Sequence, residues 1–288
     1  MSNPFNPVEP LSRPKRPLGL VLFEIVMIVL AIIFIYPTLY ILINSFKGTQ
    51  EIVIDPIGFP PHPSFNNFIS VLQRQGAGGF TFGTSLLNTF LITVMSVSGI
   101  ILISSMGAYI LARSHSKTSW VLFSLFAFFT VIPFQLIMVP LVVLATDLQF
   151  QSIVGLSLMY WGLGAPAAIF MYHGFIKSIP FSLEESASMD GAGQWRTFFQ
   201  IVFPLLTPIT ATITILDILW VWNDFLLPYI ILRAGTLVLF QFNFFGQFTQ
   251  DFGALTASLV MSATPVVILY IAMQRYIIKG ISAGAVKG

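Results

Sequence analysis

Apolar residues along this chain come in long unbroken runs. Six stretches of roughly 20 residues or more, the length that crosses a hydrocarbon core, run Leu18–Ile43, Ser85–Leu111, Trp120–Leu144, Ile153–Tyr172, Phe199–Leu232 and Leu255–Ile278. None alternates with the period of two that a membrane β-barrel strand requires. Backbone amides in lipid must find partners within their own segment, so these runs predict α-helices. The expectation is an all-α integral membrane protein with about six transmembrane helices, occupying residues 18–279. The fifth run is longer than a crossing needs and is expected to bend or to project into water. Pro133, Pro140, Pro166, Pro228 and Pro265 lie inside the runs as candidate kinks.

Charge placement gives the orientation. Only 8% of residues are charged, against about a quarter in soluble domains, so the outside of the molecule is built for lipid. Ten of the thirteen Lys and Arg residues fall on one side of the predicted spans: Arg13, Lys15, Arg16, Arg113, Lys117, Lys177, Arg196, Arg275, Lys279 and Lys287. Lys47, Arg74 and Arg233 fall on the other. Cytoplasmic loops retain positive charge, so both termini are expected in the cytoplasm of a multi-pass protein of the inner (cytoplasmic) membrane. Residues 1–17 are polar and Pro-rich and predict a flexible tail; residues 280–288 predict a second one. The first run is too long for the apolar region of a cleaved leader and is expected to be retained. A net charge of +2 offers no basic face for nucleic acid, and the absence of cysteine excludes a disulfide framework. His62, His115 and His173 are scattered without metal-ligand spacing, so no metal site is expected.

Two connections carry information. On the outer side, Asn44–Thr84 contains "IDPIGFPPHPSFNNF", where Pro56, Pro60, Pro61 and Pro63 bar regular helix and Phe59, Phe65 and Phe68 argue for an ordered, extended docking loop. On the inner side, a loop at about 174–198 leads into "EESASMDGAGQWRTFFQIVFPLLTP", Glu184–Pro208. Ser182 and Glu185 have capping-box spacing, which predicts a short helix from about Leu183 to Met189. Asp190-Gly191 then breaks it, and helix resumes over Gln194–Phe199 before Pro204 and Pro208. Net acidity speaks against an interfacial lipid helix, whose polar face is usually basic, and favours a protein partner for this helix–turn–helix knob.

This loop resembles the E-A-A-x-x-x-G-x(9)-I-x-L-P signature of inner-membrane permeases of binding-protein-dependent ABC importers. Glu185, Ala187, Gly191, Ile201 and Pro204 match it; Ser186 and Phe203 depart from it. The chain also has "AYILAR" at Ala108–Arg113, "IPFQLIMVPL" at Ile132–Leu141, "WNDFLLP" at Trp222–Pro228 and "GAVKG" at Gly284–Gly288, in the order of the maltose-type, carbohydrate-uptake branch. The resemblance implies a permease fold whose cytoplasmic coupling loop docks on separate ATPase subunits. It implies no catalysis and no cofactor on this chain, with ATP and Mg held by the partners; no phosphate-binding Gly-rich loop is present. It further implies a solute-binding protein outside the membrane, two ATP-binding subunits and a second permease, with the "GAVKG" ending favouring a heterodimer. Coupling residues are then Ser182, Glu185, Ala187, Asp190 and Gly191. Gly191 serves the turn, and Glu185 either caps the helix or pairs with a basic group on the ATPase.

For a carbohydrate path the candidates are Trp220, Trp222, Asn223 and Asp224, aromatic faces with amide and carboxylate acceptors. The competing reading has them hold the fifth span against the partner subunit. Asp217 and Asp224 are seven residues apart and share a helical face, which also admits an ion-coupled secondary transporter. Glu24, near the start of the first run, reads as structural.

Overall fold

The computed structural model describes residues 18–244 and 251–285, with side chains through most of that range; the predicted N-terminal tail and residues 286–288 lie outside it. Among the described residues the chain is helical, with an isolated bridge Gln75–Thr81 and no named strand. Four helices are long and apolar enough to cross a membrane: α1 (Leu18–Asn44), α4 (Phe82–Arg113), α7 (Ile153–Ile176) and, over Phe252–Ala272, α14 (Phe252–Ala285). Between α1 and α4 lie the short helices α2 (Thr49–Ile54) and α3 (Asn66–Gln73). Because α14 continues to Ala285, the tail predicted from Gly280 begins as helix.

Two of the six predicted spans are broken. The third is α5 (Lys117–Phe129) followed by α6 (Phe134–Asp147), bent by 104°. Pro133 is the cause: it lacks an N–H, and its ring pushes Ile132 out of the helical region, so α6 starts anew with Pro133 at its N-cap. The fifth bends by 75° between helix over Gln194–Leu205 and α11 (Thr207–Asn223), where Pro204 and Pro208 bracket Leu206. After Asn223 the chain leaves the helix again at extended Asp224 and re-enters it in α12 (Leu226–Ile231). With each bent pair taken as one crossing, the described residues hold six spans.

Small residues set the centre of the bundle. α4 and α7 run side by side in the same direction, Met95 meeting Trp161 and Ile100 meeting Gly164, with Ser96, Ser104 and Ala108 of α4 and Gly164, Ala165 and Ala168 of α7 all buried. In lipid there is no hydrophobic drive between helices, so close backbone approach supplies the attraction. Trp161 lies flat over Gly99 and donates its indole N–H to the Met95 carbonyl at 2.9 Å. A methyl at Gly99 would stand 1.9 Å from the Trp161 ring, and one at Gly164 2.5 Å from Ile100. At 32 residues α4 is about 48 Å long, well beyond the roughly 30 Å of hydrocarbon. Its ends therefore stand clear of the lipid core.

Lys47, Arg74 and the start of α4 gather at one end. There the segment with four prolines is irregular as expected, but α2 and α3 flank it, so the extended loop contains helix. Phe46, Phe65 and Phe68 form an aromatic cluster with centroids 5.3–5.9 Å apart. Buried Lys47 donates to the Asp55 carbonyl at 2.8 Å, and Asn67 donates to the carbonyls of Ser45 and Lys47. Asp251 caps α14, accepting from the Ala254 amide, and also binds Thr49 and Arg74. Arg113, Lys177 and Arg196 lie at the opposite end.

The α4–α7 seam yields a test. Gly99→Ala should cost about 1–3 kcal/mol through overpacking against Trp161, read as a lowered thermal midpoint in detergent. Gly162→Ala, where an added methyl meets nothing within 4 Å, should leave that midpoint unchanged or higher.

Candidate functional site

The inner loop folds around one carboxylate. Beyond α7 the chain turns through Lys177–Phe181 into α8 (Ser182–Met189). Glu184 points back into the molecule, only 7% exposed. Arg113, at the end of α4, reaches its Oε1 with Nε at 2.7 Å and an Nη at 2.6 Å. Tyr109, one turn earlier on α4, donates its hydroxyl to Oε2 at 2.7 Å. The same guanidinium donates to the Ile179 carbonyl at 3.1 Å and stands 5.6 Å from the centre of the Phe181 ring. Spacing explains the pairing on the α4 side, since residues four apart share a face.

The rest of α8 faces outward. Glu185, Ser186, Ser188 and Asp190 are exposed, and Met189 is 82% exposed; only Glu184 and Ala187 are buried. Gly191 ends the helix at φ +80°. Its amide donates to Ser188, and that of Ala192 to Ala187, the paired bonds of a Schellman turn. A Cβ at Gly191 would meet nothing within 4 Å, so glycine is needed there for backbone conformation alone. The chain then enters α9 (Gln194–Thr197), a π-helical turn over Phe198–Val202 and α10 (Phe203–Leu205). Phe198 is buried 5.2 Å from the Tyr109 ring, whereas Trp195 is 66% exposed and stacks on Phe199.

The capping box predicted at Ser182 and Glu185 does not form. Phe181 is the N-cap and makes no side-chain cap bond; Ser182 is already the first helical residue. Residues 177–181 are turning before α8 begins, so the Phe181 carbonyl takes the amides of Glu184 and Glu185 directly. Glu185 is left facing outward. The anchoring residues Glu184, Arg113 and Tyr109 were not among the sequence candidates. Tyr109 and Arg113 at i, i+4 in the last turn of a span were the available signal.

The α11 patch divides. Trp222 is buried against α14 and donates its indole N–H to the Ser262 carbonyl at 3.2 Å. Asn223 is exposed and its amide bonds the Leu219 carbonyl at 2.8 Å. Trp222 does not join Trp220, because residues two apart on a helix point in opposite directions, and Asn223 does not line the surface that Trp220 does. Trp220 and Asp224 do share a surface, lining a cavity of about 820 Å³ walled mainly by apolar side chains of α5, α6 and α7. Tyr160 packs edge-on to Trp220 at 5.3 Å and donates its hydroxyl to Asp224 at 2.7 Å, whose other oxygen accepts the Leu226 amide. Asp217 does not line this cavity, and its Oδ2 is buried without a hydrogen-bond partner. The face predicted to join the two carboxylates fails because helix stops at Asn223.

The family described as "Binding-protein-dependent transport system inner membrane component" matches residues 99–283. The probable starch degradation products transport system permease protein AmyC of Thermoanaerobacterium thermosulfurigenes is 38% identical, over 90% of this chain and 94% of that one. The melibiose/raffinose/stachyose import permease protein MelC of Bacillus subtilis is 37% identical, over 80% and 83%. The fold is shared with a chain of a bacterial ABC transporter involved in the import of the acidic polysaccharide alginate, at TM-score 0.76 and 24% identity, covering 92% of this chain and 99% of that one. The chain belongs to the inner-membrane components of binding-protein-dependent transport systems and is a permease subunit of an ABC importer, a transport component that works with ATPase subunits and a binding protein.

Proposed function

We propose that this permease carries a sugar or oligosaccharide inward by alternating access, driven by two ATP-binding subunits that hold the ATP and Mg and dock on α8. The observation that carries the reading is α8 itself: one carboxylate anchors it inward while Glu185, Met189 and Asp190 stand exposed ahead of a Schellman turn. Ser182 opens this helix, Ala187 packs beneath it, and Gly191 releases the chain at its end. Glu185 is the residue for a basic group on the ATPase, its capping role having gone to the Phe181 carbonyl. The distribution of Lys and Arg supports a cytoplasmic position for α8 and both termini. The starch-product and melibiose/raffinose/stachyose names of the relatives support the carbohydrate class.

Trp220 and Asp224 are the polar end of the candidate substrate path, with an aromatic edge for a sugar's C–H face and an acceptor for its hydroxyls. A second, different permease completes the path, and the solute-binding protein docks on the end bearing α2 and α3. The ion-coupled alternative finds no support: Asp224 is already bonded to Tyr160 and Leu226, and Asp217 stands apart.

Proteoliposomes holding the assembled importer should accumulate sugar only with internal ATP and added binding protein; uptake driven by an ion gradient without the ATPase would contradict the proposal. Position 191 grades the coupling. Asn tolerates positive φ and should retain most transport; Ala should cost roughly 1–2 kcal/mol at the turn. Gly191→Pro fixes φ near −65°, so it should insert and assemble yet lose uptake. Undiminished uptake by that variant would remove the loop from the mechanism.

A further inference from the structure

We infer that Glu184, Arg113 and Tyr109 form a strut that makes α8 and the inner end of α4 move as one body, so that displacement of α8 enters the bundle through α4. The inference rests on α8 being the ATPase-docking helix.

α8 has little else holding it sideways. Its buried side chains are Glu184 and Ala187 alone, so packing gives it almost no grip on the bundle. By the chain it is joined to α7, and through α9 to the bent fifth span; both of these pack on α4, but neither bonds α8 to it directly. The link to α4 is polar and multiply bonded. Both Glu184 oxygens are engaged, and the guanidinium holds the Ile179 carbonyl, just before α8, together with the carboxylate in its first turn. Arg113 and Glu184 side chains are 16% and 6% exposed. Water is therefore poorly placed to replace a broken bond, and a planar fork against a carboxylate resists shear as well as separation.

The recipient is suited to passing the motion on. α4 is the long helix keyed to α7 by Gly99 and Gly164, and its outer end abuts the loop before α13 (Leu237–Gln241), where Asn88 donates to the Gly235 carbonyl at 3.0 Å and Thr89 accepts the Leu237 amide at 2.9 Å. A push at Glu184 thus has a continuous rigid route from one end of the molecule to the other. Coupling requires such a two-state element biased by both sites.

Because the chain has no cysteine, the strut can be measured directly. Nitroxide labels at His115→Cys, on the exposed turn after α4, and Ser188→Cys on α8 would be placed in the whole importer. Their distance should stay the same in nucleotide-free and ATP-trapped states. With Glu184→Gln the distance distribution should broaden or shift between states, and sugar transported per ATP hydrolysed should fall roughly two- to thirty-fold. Glu184→Gln strands a poorly hydrated guanidinium and could impair folding, so the apolar pair Arg113→Met with Glu184→Met is the second variant. It should restore assembly but not the transport-to-ATP ratio. A label distance that changes in the otherwise unaltered chain, or an apolar pair that couples fully, would overturn the strut. If no ATP-dependent uptake occurs in any variant, the docking reading itself has failed.

Discussion

A single poorly hydrated ion pair decides what the inner face of this permease can do. Burying two charges is unfavourable unless geometry and further hydrogen bonds compensate, and here they do: Glu184 meets Arg113 through two nitrogens, Tyr109 takes its second oxygen, and Arg113 uses a remaining donor on Ile179. With Glu184 facing in, the next residue round the helix, Glu185, must face out. The exposed face and the anchor are therefore two sides of one helical turn.

The bilayer imposes the remaining constraints. The two sharp bends, in the third and fifth spans, fall beside prolines, which remove a donor, and the chain restarts helix at once so that few amides are left unpaired. Pro133 divides the third span into two short helices, and the cavity they enclose with α7 and α11 holds the polar pair of Trp220 and Asp224. Elsewhere helices come together through small residues. The Gly99–Trp161 and Gly164–Ile100 approaches make α4 and α7 a rigid unit to which the broken spans are appended.

Much of this was legible from residue order. Four spans are single helices near their expected positions, because hydrocarbon thickness fixes the length of an apolar run. The Gly191 turn was legible because few residues besides glycine adopt φ +80° readily. Other features depended on direction, which apolar content does not encode. Glu184 and Glu185 differ by one helical step, and only the position of Arg113 decides which turns inward. Trp220 and Trp222 could have been separated by helical period alone, since two residues advance more than half a turn. Asp224 is different: helix was expected to continue through it, and the extended backbone there breaks the face it was to share with Asp217.

Force transfer through α8 requires that it face the cytoplasm and be covered by an ATPase. A single cysteine at Met189, otherwise 82% exposed, tests it most directly in a chain with no other thiol. A membrane-impermeant thiol reagent should label it only from the cytoplasmic side, and bound ATPase subunits should protect it. Labelling from the outside, or equal reactivity with and without the ATPase, would contradict the account.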